Sequence, residues 1–124
     1  MKIRFRDDSI RVRLTQREVA ELAASGRVQA STHFGGNARL RFEVRSREGA
    51  MRASFENSLV AIEAPASLIR DWAAAPQIAL SGASVTEQGE FRISIEKDLE
   101  CRKPRPYEDN SDAFPASLGQ AHCA

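Results

Sequence analysis

The sequence predicts an α+β fold: two tandem strand-strand-helix-strand-strand units forming a mostly antiparallel sheet or barrel with two helices. Three observations predict it. Short runs of apolar and polar residues alternate strictly, the period of a strand with one buried face, and these runs come in pairs separated by turn residues. Two segments replace that period with apolar residues three and four apart, the stripe of a helix packed on a core. The pattern then returns after about fifty residues: Phe5 is echoed by Phe55, Ile10 and Val12 by Val60 and Ile62, Val19 and Leu22 by Ile69 and Trp72, and Val28 by Ile78. The expected organisation is a single domain over 1–100, with pseudo-repeats at about 2–46 and 51–97 and a polar, proline-containing C-terminal tail at 101–124.

Each element has its own signal. Ile3 and Phe5 alternate with Lys2, Arg4 and Arg6, and Ile10, Val12 and Leu14 with Arg11 and Arg13; Asp7-Asp8-Ser9 supplies the turn between them. Thr15 opens a helix, with Glu18 as its capping-box partner and Val19, Leu22 and Ala23 on the buried face, and Gly26 closes it. A second hairpin runs from Val28 through Gly35-Gly36-Asn37 to Leu40, Phe42 and Val44. The unit restarts at Met51 to Phe55, turns at Glu56-Asn57-Ser58 and continues through Leu59 to Glu63. Pro65 suits a first helical position, Leu68, Ile69, Trp72 and Ala73 form the helical stripe, and Pro76 ends it. Ile78, Leu80, Phe91, Ile93 and Ile95 complete the last hairpin, and periodicity stops at Leu99.

The 124 residues are 42% hydrophobic, enough for a core without covalent staples, and Cys101 and Cys123 are the only cysteines. No apolar run reaches membrane-spanning length and the charged start is unlike a signal peptide, so a cytoplasmic protein with no membrane partner is expected. The net charge of +1 hides an asymmetry: residues 1–52 hold 12 Lys or Arg against 6 Asp or Glu, and the remainder 6 against 11. One face could meet a polyanion, or the halves could neutralise each other.

Two resemblances are carried by particular residues. Asn57-Ser58-Leu59-Val60-Ala61-Ile62, followed by Pro65, Leu68 and the strand ending Phe91 to Glu96, resembles the AbrB/MazE swapped-hairpin DNA-binding domain, and Asp8-Ser9-Ile10-Arg11-Val12-Arg13 is the matching stretch of the first half. That resemblance implies two units that interlock their hairpins, within one monomer where tandem copies occur, as in the MraZ family. It also implies a DNA-binding regulator as one function, although the second half lacks a basic face. The chain as a whole resembles a family of small bacterial proteins of unknown function, through Ser9 to Gln16, Thr32-His33-Phe34, Ala53 to Asn57, and the ending Glu96-Lys97-Asp98, Cys101, Pro104-Arg105 and Asp112-Ala113-Phe114-Pro115. It implies no particular activity.

The candidate anion- or nucleic-acid-binding residues are Arg4, Arg6, Arg11, Arg13, Arg39 and Arg41, all placed by alternation away from the core. Arginines opposite one another on a hairpin repel, so phosphates or the carboxylates of Glu43, Glu63, Glu96 and the tail must offset them. The tail offers a docking motif in which Asp112 reaches toward arginine and Phe114 enters an apolar notch. Outward Leu59, Ala61 and Ala79 call for a cover, either the tail or another subunit. The sequence nominates no catalytic residue, no cofactor and no metal site: His33, Cys101, His122 and Cys123 lack ligand spacing, and no nucleophile or phosphate-loop motif is present. A non-enzymatic binding module with an unknown protein partner or a homo-oligomer is the leading expectation. A DNA-binding regulator, using the N-terminal basic face, is the second. A polyphosphate enzyme of triphosphate-tunnel type is the third, and it would need the charged strand faces to line a barrel interior.

Overall fold

The computed structural model describes residues 1–100, 106–107 and 109–118. Among them lie β1 (Lys2–Phe5), β2 (Ser9–Leu14), α1 (Gln16–Ser25), β3 (Arg27–Gly35), β4 (Ala38–Ser46), β5 (Arg52–Glu56), β6 (Leu59–Ala64), α2 (Ala66–Ala74), β7 (Ala79–Thr86) and β8 (Gly89–Lys97), with a 3-10 turn at Ala116–Leu118. The α+β class and the tandem element order are those expected. No helix among the described residues is long and apolar enough to cross a membrane.

The strands form two four-stranded sheets, β1-β2-β8-β7 and β3-β4-β6-β5. Each hairpin is antiparallel, whereas the central pairs β2/β8 and β4/β6 are parallel. Each sheet therefore joins one hairpin from each unit, and the sheets keep free edges rather than closing into a barrel. The two parallel ladders share one register. Ser9 faces Arg92 in the first and Leu59 faces Arg41 in the second, so 50 residues separate the β2 and β6 members and 51 the β8 and β4 members. The backbone bonds that flank the ladders repeat likewise: Asp98 N–H donates to Leu14 O as Arg47 N–H does to Ala64 O. One echo needs correction. Val28 pairs with Val44, and the corresponding partners in the second unit are Leu80 and Ile95, so Leu80 rather than Ile78 is the counterpart of Val28. The cause is a longer connection: Gly26 alone separates α1 from β3, whereas residues 75–78 separate α2 from β7.

Helix ends follow local chemistry. Thr15 caps α1, its hydroxyl accepting from Glu18 N–H while the Glu18 carboxylate accepts from Thr15 N–H at 3.0 Å. Gly26 ends the helix at φ +79, a left-handed conformation that glycine adopts without steric cost, and an added Cβ would lie 2.7 Å from Ser46 Oγ. Pro65 is the N-cap of α2, not its first helical residue, because its ψ of 137 is extended.

The inner faces of the two sheets and the inner stripes of both helices bury one core, including Ile10, Val12, Leu14, Leu22, Val44, Ile62, Ile69, Trp72, Ile93 and Ile95. Trp72 satisfies its indole N–H on Ile78 O at 2.9 Å, so its large ring is buried without an orphaned donor. Since β2, β4, β6 and β8 run in register toward α1 and α2, both helices cap one end of the sandwich. All four hairpin turns gather at the other.

Candidate functional site

The arginines stand on the outer faces of two different sheets. Lys2, Arg4, Arg11 and Arg13 share a face of the first, where Arg4 lies opposite Arg11 and Lys2 opposite Arg13. Glu96 on β8 draws Arg11 (3.3 Å) and Arg13 (3.6 Å) to itself, and Asp98 draws Lys2 (3.1 Å). On the second sheet, Glu63 is 2% exposed and accepts Arg45, Arg47 and Arg52 at 3.0–3.1 Å. Glu43, also buried, accepts Arg27 and Arg45. Burial alone would raise the Glu63 pKa, but hydrogen bonds from Arg47 and Arg45 outweigh it and hold the carboxyl below its ordinary value. Arg45 is correspondingly raised, first by its hydrogen bond to Glu63. The two arrays are related by the internal repeat with the signs exchanged: Arg13 opposite Glu96 corresponds to Glu63 opposite Arg45. Outward Ala61, flanked by Glu43 and Ser54 on the neighbouring strands, is only 2% exposed, while Leu59 and Ala79 are half-buried.

Of the six candidate arginines, Arg11 and Arg13 are thus engaged by Glu96. Arg41 donates to Asn57 O across the neighbouring turn, and Arg4, Arg6 and Arg39 are exposed. The structure divides the six, with Arg4, Arg6, Arg11 and Arg13 on the first sheet's side and Arg39 and Arg41 on the second. The charged faces point outward, the reverse of a tunnel, and the space between the sheets is apolar.

In the tail, Asp112 meets the start of α1: its carboxylate accepts Arg17 backbone N–H at 3.1 Å and its carbonyl accepts Gln16 N–H at 2.9 Å. The contact is to the backbone of Arg17, a helix N-terminus that favours a negative charge, and not to a guanidinium. Phe114 pairs with Leu99, packs on the core and lies over Lys97, whose Nζ is 5.6 Å from its ring and 5.5 Å from that of Trp72. Lys97 is buried and donates to Ala75 O, and burial pushes its pKa down. Cys101, Glu108, His122 and Cys123 lie outside the described residues. His33 is exposed on β3, and no group of three metal-ligating side chains occurs among the described residues.

The feature that alternation does not reveal is a cleft between the sheets at the turn end. Its volume is about 380 Å³, and it is lined by Phe5, Ile10, Leu40, Ala53, Ser54, Phe55, Val60, Thr86 and Phe91. Most of this lining is paired by the repeat, as Phe5 with Phe55, Ile10 with Val60, and Leu40 with Phe91. Alternation places Phe5 and Phe55 inward, which is correct, but the sandwich is not filled at this end, and they remain 55% and 67% exposed. Phe34 and Val85, near the other two turns, are 70% and 90% exposed, so each hairpin offers one large apolar side chain at the same end.

A family model described as Family of unknown function (DUF7009) matches residues 1–118. The chain belongs to this family. No curated protein and no solved structure matches it. In this DUF7009 member the matched span takes in both units and the docked Asp112-Ala113-Phe114 segment, so the cleft and the tail contacts both lie within the family's extent.

Proposed function

We propose that the chain is a non-enzymatic interaction module whose binding surface is the apolar cleft at the turn end. The observation that carries this reading is that Phe5 and Phe55, one from each unit, stay largely exposed on a cleft lined also by Ile10, Leu40, Val60 and Phe91, whose polar lining is limited to Ser54 and Thr86. A contiguous apolar patch of this kind marks a surface that another molecule covers. The volume is within the range of ligand and peptide pockets. A DNA-binding reading draws less support, since Arg11 and Arg13 are engaged by Glu96 and the remaining candidate arginines are split between two sheets.

The test uses the environment-sensitive dye bis-ANS at low micromolar protein. Saturable fluorescence from the wild type, lost in Phe55→Asp and Leu40→Asp variants that melt normally, is the expected result. Equal dye binding by the variants would overturn the assignment of the cleft.

A further inference from the structure

Resting on that reading of the cleft, we propose that its partner is a second copy of this chain, docked turn end to turn end in a two-fold dimer. The apolar part of the surface supplies the affinity: large side chains that can be removed from water together at the centre of an interface. Charge selects the occupant. Around the turns of the first sheet stand Arg6, Asp7, Asp8, Glu87, Glu90 and Arg92, two arginines against four carboxylates. Around the turns of the second stand Arg39, Arg41 and Glu56, two arginines against one carboxylate, with His33 beside them. One half of the rim is therefore acidic and the other basic. A polyanion or a polycation would meet repulsion on one side. A second copy related by a two-fold axis sets the acidic half of each chain over the basic half of the other, and both junctions are satisfied by the same rotation. Arg41 is already anchored at this rim by Asn57 O, so part of the basic half is held in place before association.

The apolar and charged contributions are separable. Sedimentation equilibrium of the full chain, from low micromolar to near-millimolar concentration, should show a reversible monomer-dimer transition, with bis-ANS fluorescence per chain falling as the dimer forms and covers the cleft. Phe5→Asp with Phe55→Asp should weaken association by about thirtyfold or more, with unchanged circular dichroism. Glu87→Lys and Arg39→Glu should each weaken it alone. Mixing the two variants should restore it, because in the mixed dimer one junction pairs the two substituted residues and the other the two native ones. A dimer indifferent to the phenylalanine variants, or one that mixing does not restore, would overturn the proposed geometry. A wild type that stays monomeric throughout would overturn self-association. In that case dye binding that still depends on Phe55 leaves the cleft a docking site for another chain, and absent dye binding removes the cleft reading as well.

Discussion

Glu63 is the residue at which burial and charge are most tightly opposed. A carboxylate 2% exposed would be costly by itself, and three guanidinium groups make it tolerable. Glu63→Gln should destabilise the fold by about 2 kcal/mol, less than the roughly 3–5 kcal/mol for a fully buried pair because the three arginines keep a third or more of their surface in water. The folded pKa is below the ordinary 4.5, so the carboxylate's contribution is whole above 4.5 and is lost as pH falls through the lowered value. Urea titrations at neutral pH and in steps below 4.5 should show the gap between wild type and variant narrowing toward acid; a constant gap would contradict the ion-pair account. Alternation made the outward direction of these arginines legible, and composition named Glu43, Glu63 and Glu96 as counter-charges. It could not say which carboxylate meets which arginine. Arg13 and Glu96 are 83 positions apart and become neighbours only through a parallel pairing between units.

At the scale of elements, periodicity and end signals located every strand and both helices, because caps, turns and amphipathic faces are local. What escaped is how elements from different units touch. The seam between β5 and β7 is an instance: an added Cβ on Gly82 would lie 2.6 Å from Met51 Sδ and 3.2 Å from Met51 Cβ, so the glycine is the space into which a buried methionine fits. Gly82→Ala should cost about 1–3 kcal/mol by overpacking. In a Met51→Ala background the added methyl should cost far less, a non-additivity that a double-mutant cycle with thermal or urea unfolding reads directly. Additive effects would mean that the two residues do not share this seam. The turn-end cleft escaped for a related reason. Period two assigns Phe5 and Phe55 to the inner face but does not say whether that face is filled to its end.

Over the whole molecule, neither unit contains a complete sheet: β1 and β2 need β7 and β8, and β3 and β4 need β5 and β6. Half-chains 1–48 and 49–124 should each lack cooperative unfolding alone and regain it when mixed one to one, followed by near-ultraviolet circular dichroism at Trp72. A cooperatively folded single half would show that the units are self-sufficient. The element order was legible because each unit repeats a local pattern, while the parallel pairings that knit them were not, since no local signal marks a parallel partner. The inverted ion pairs at the sheet centres then decide who may pair with whom. If the first unit of one chain invaded the first unit of another, Arg13 would face Arg45; two second units would set Glu63 against Glu96. Both mispairings place like charges on adjoining strands, and only the unlike union is free of that repulsion. Two units that carry opposite signs at one shared position cannot substitute for each other, so each sheet has to be built from one first unit and one second unit, in the one-to-one proportion that a single chain supplies.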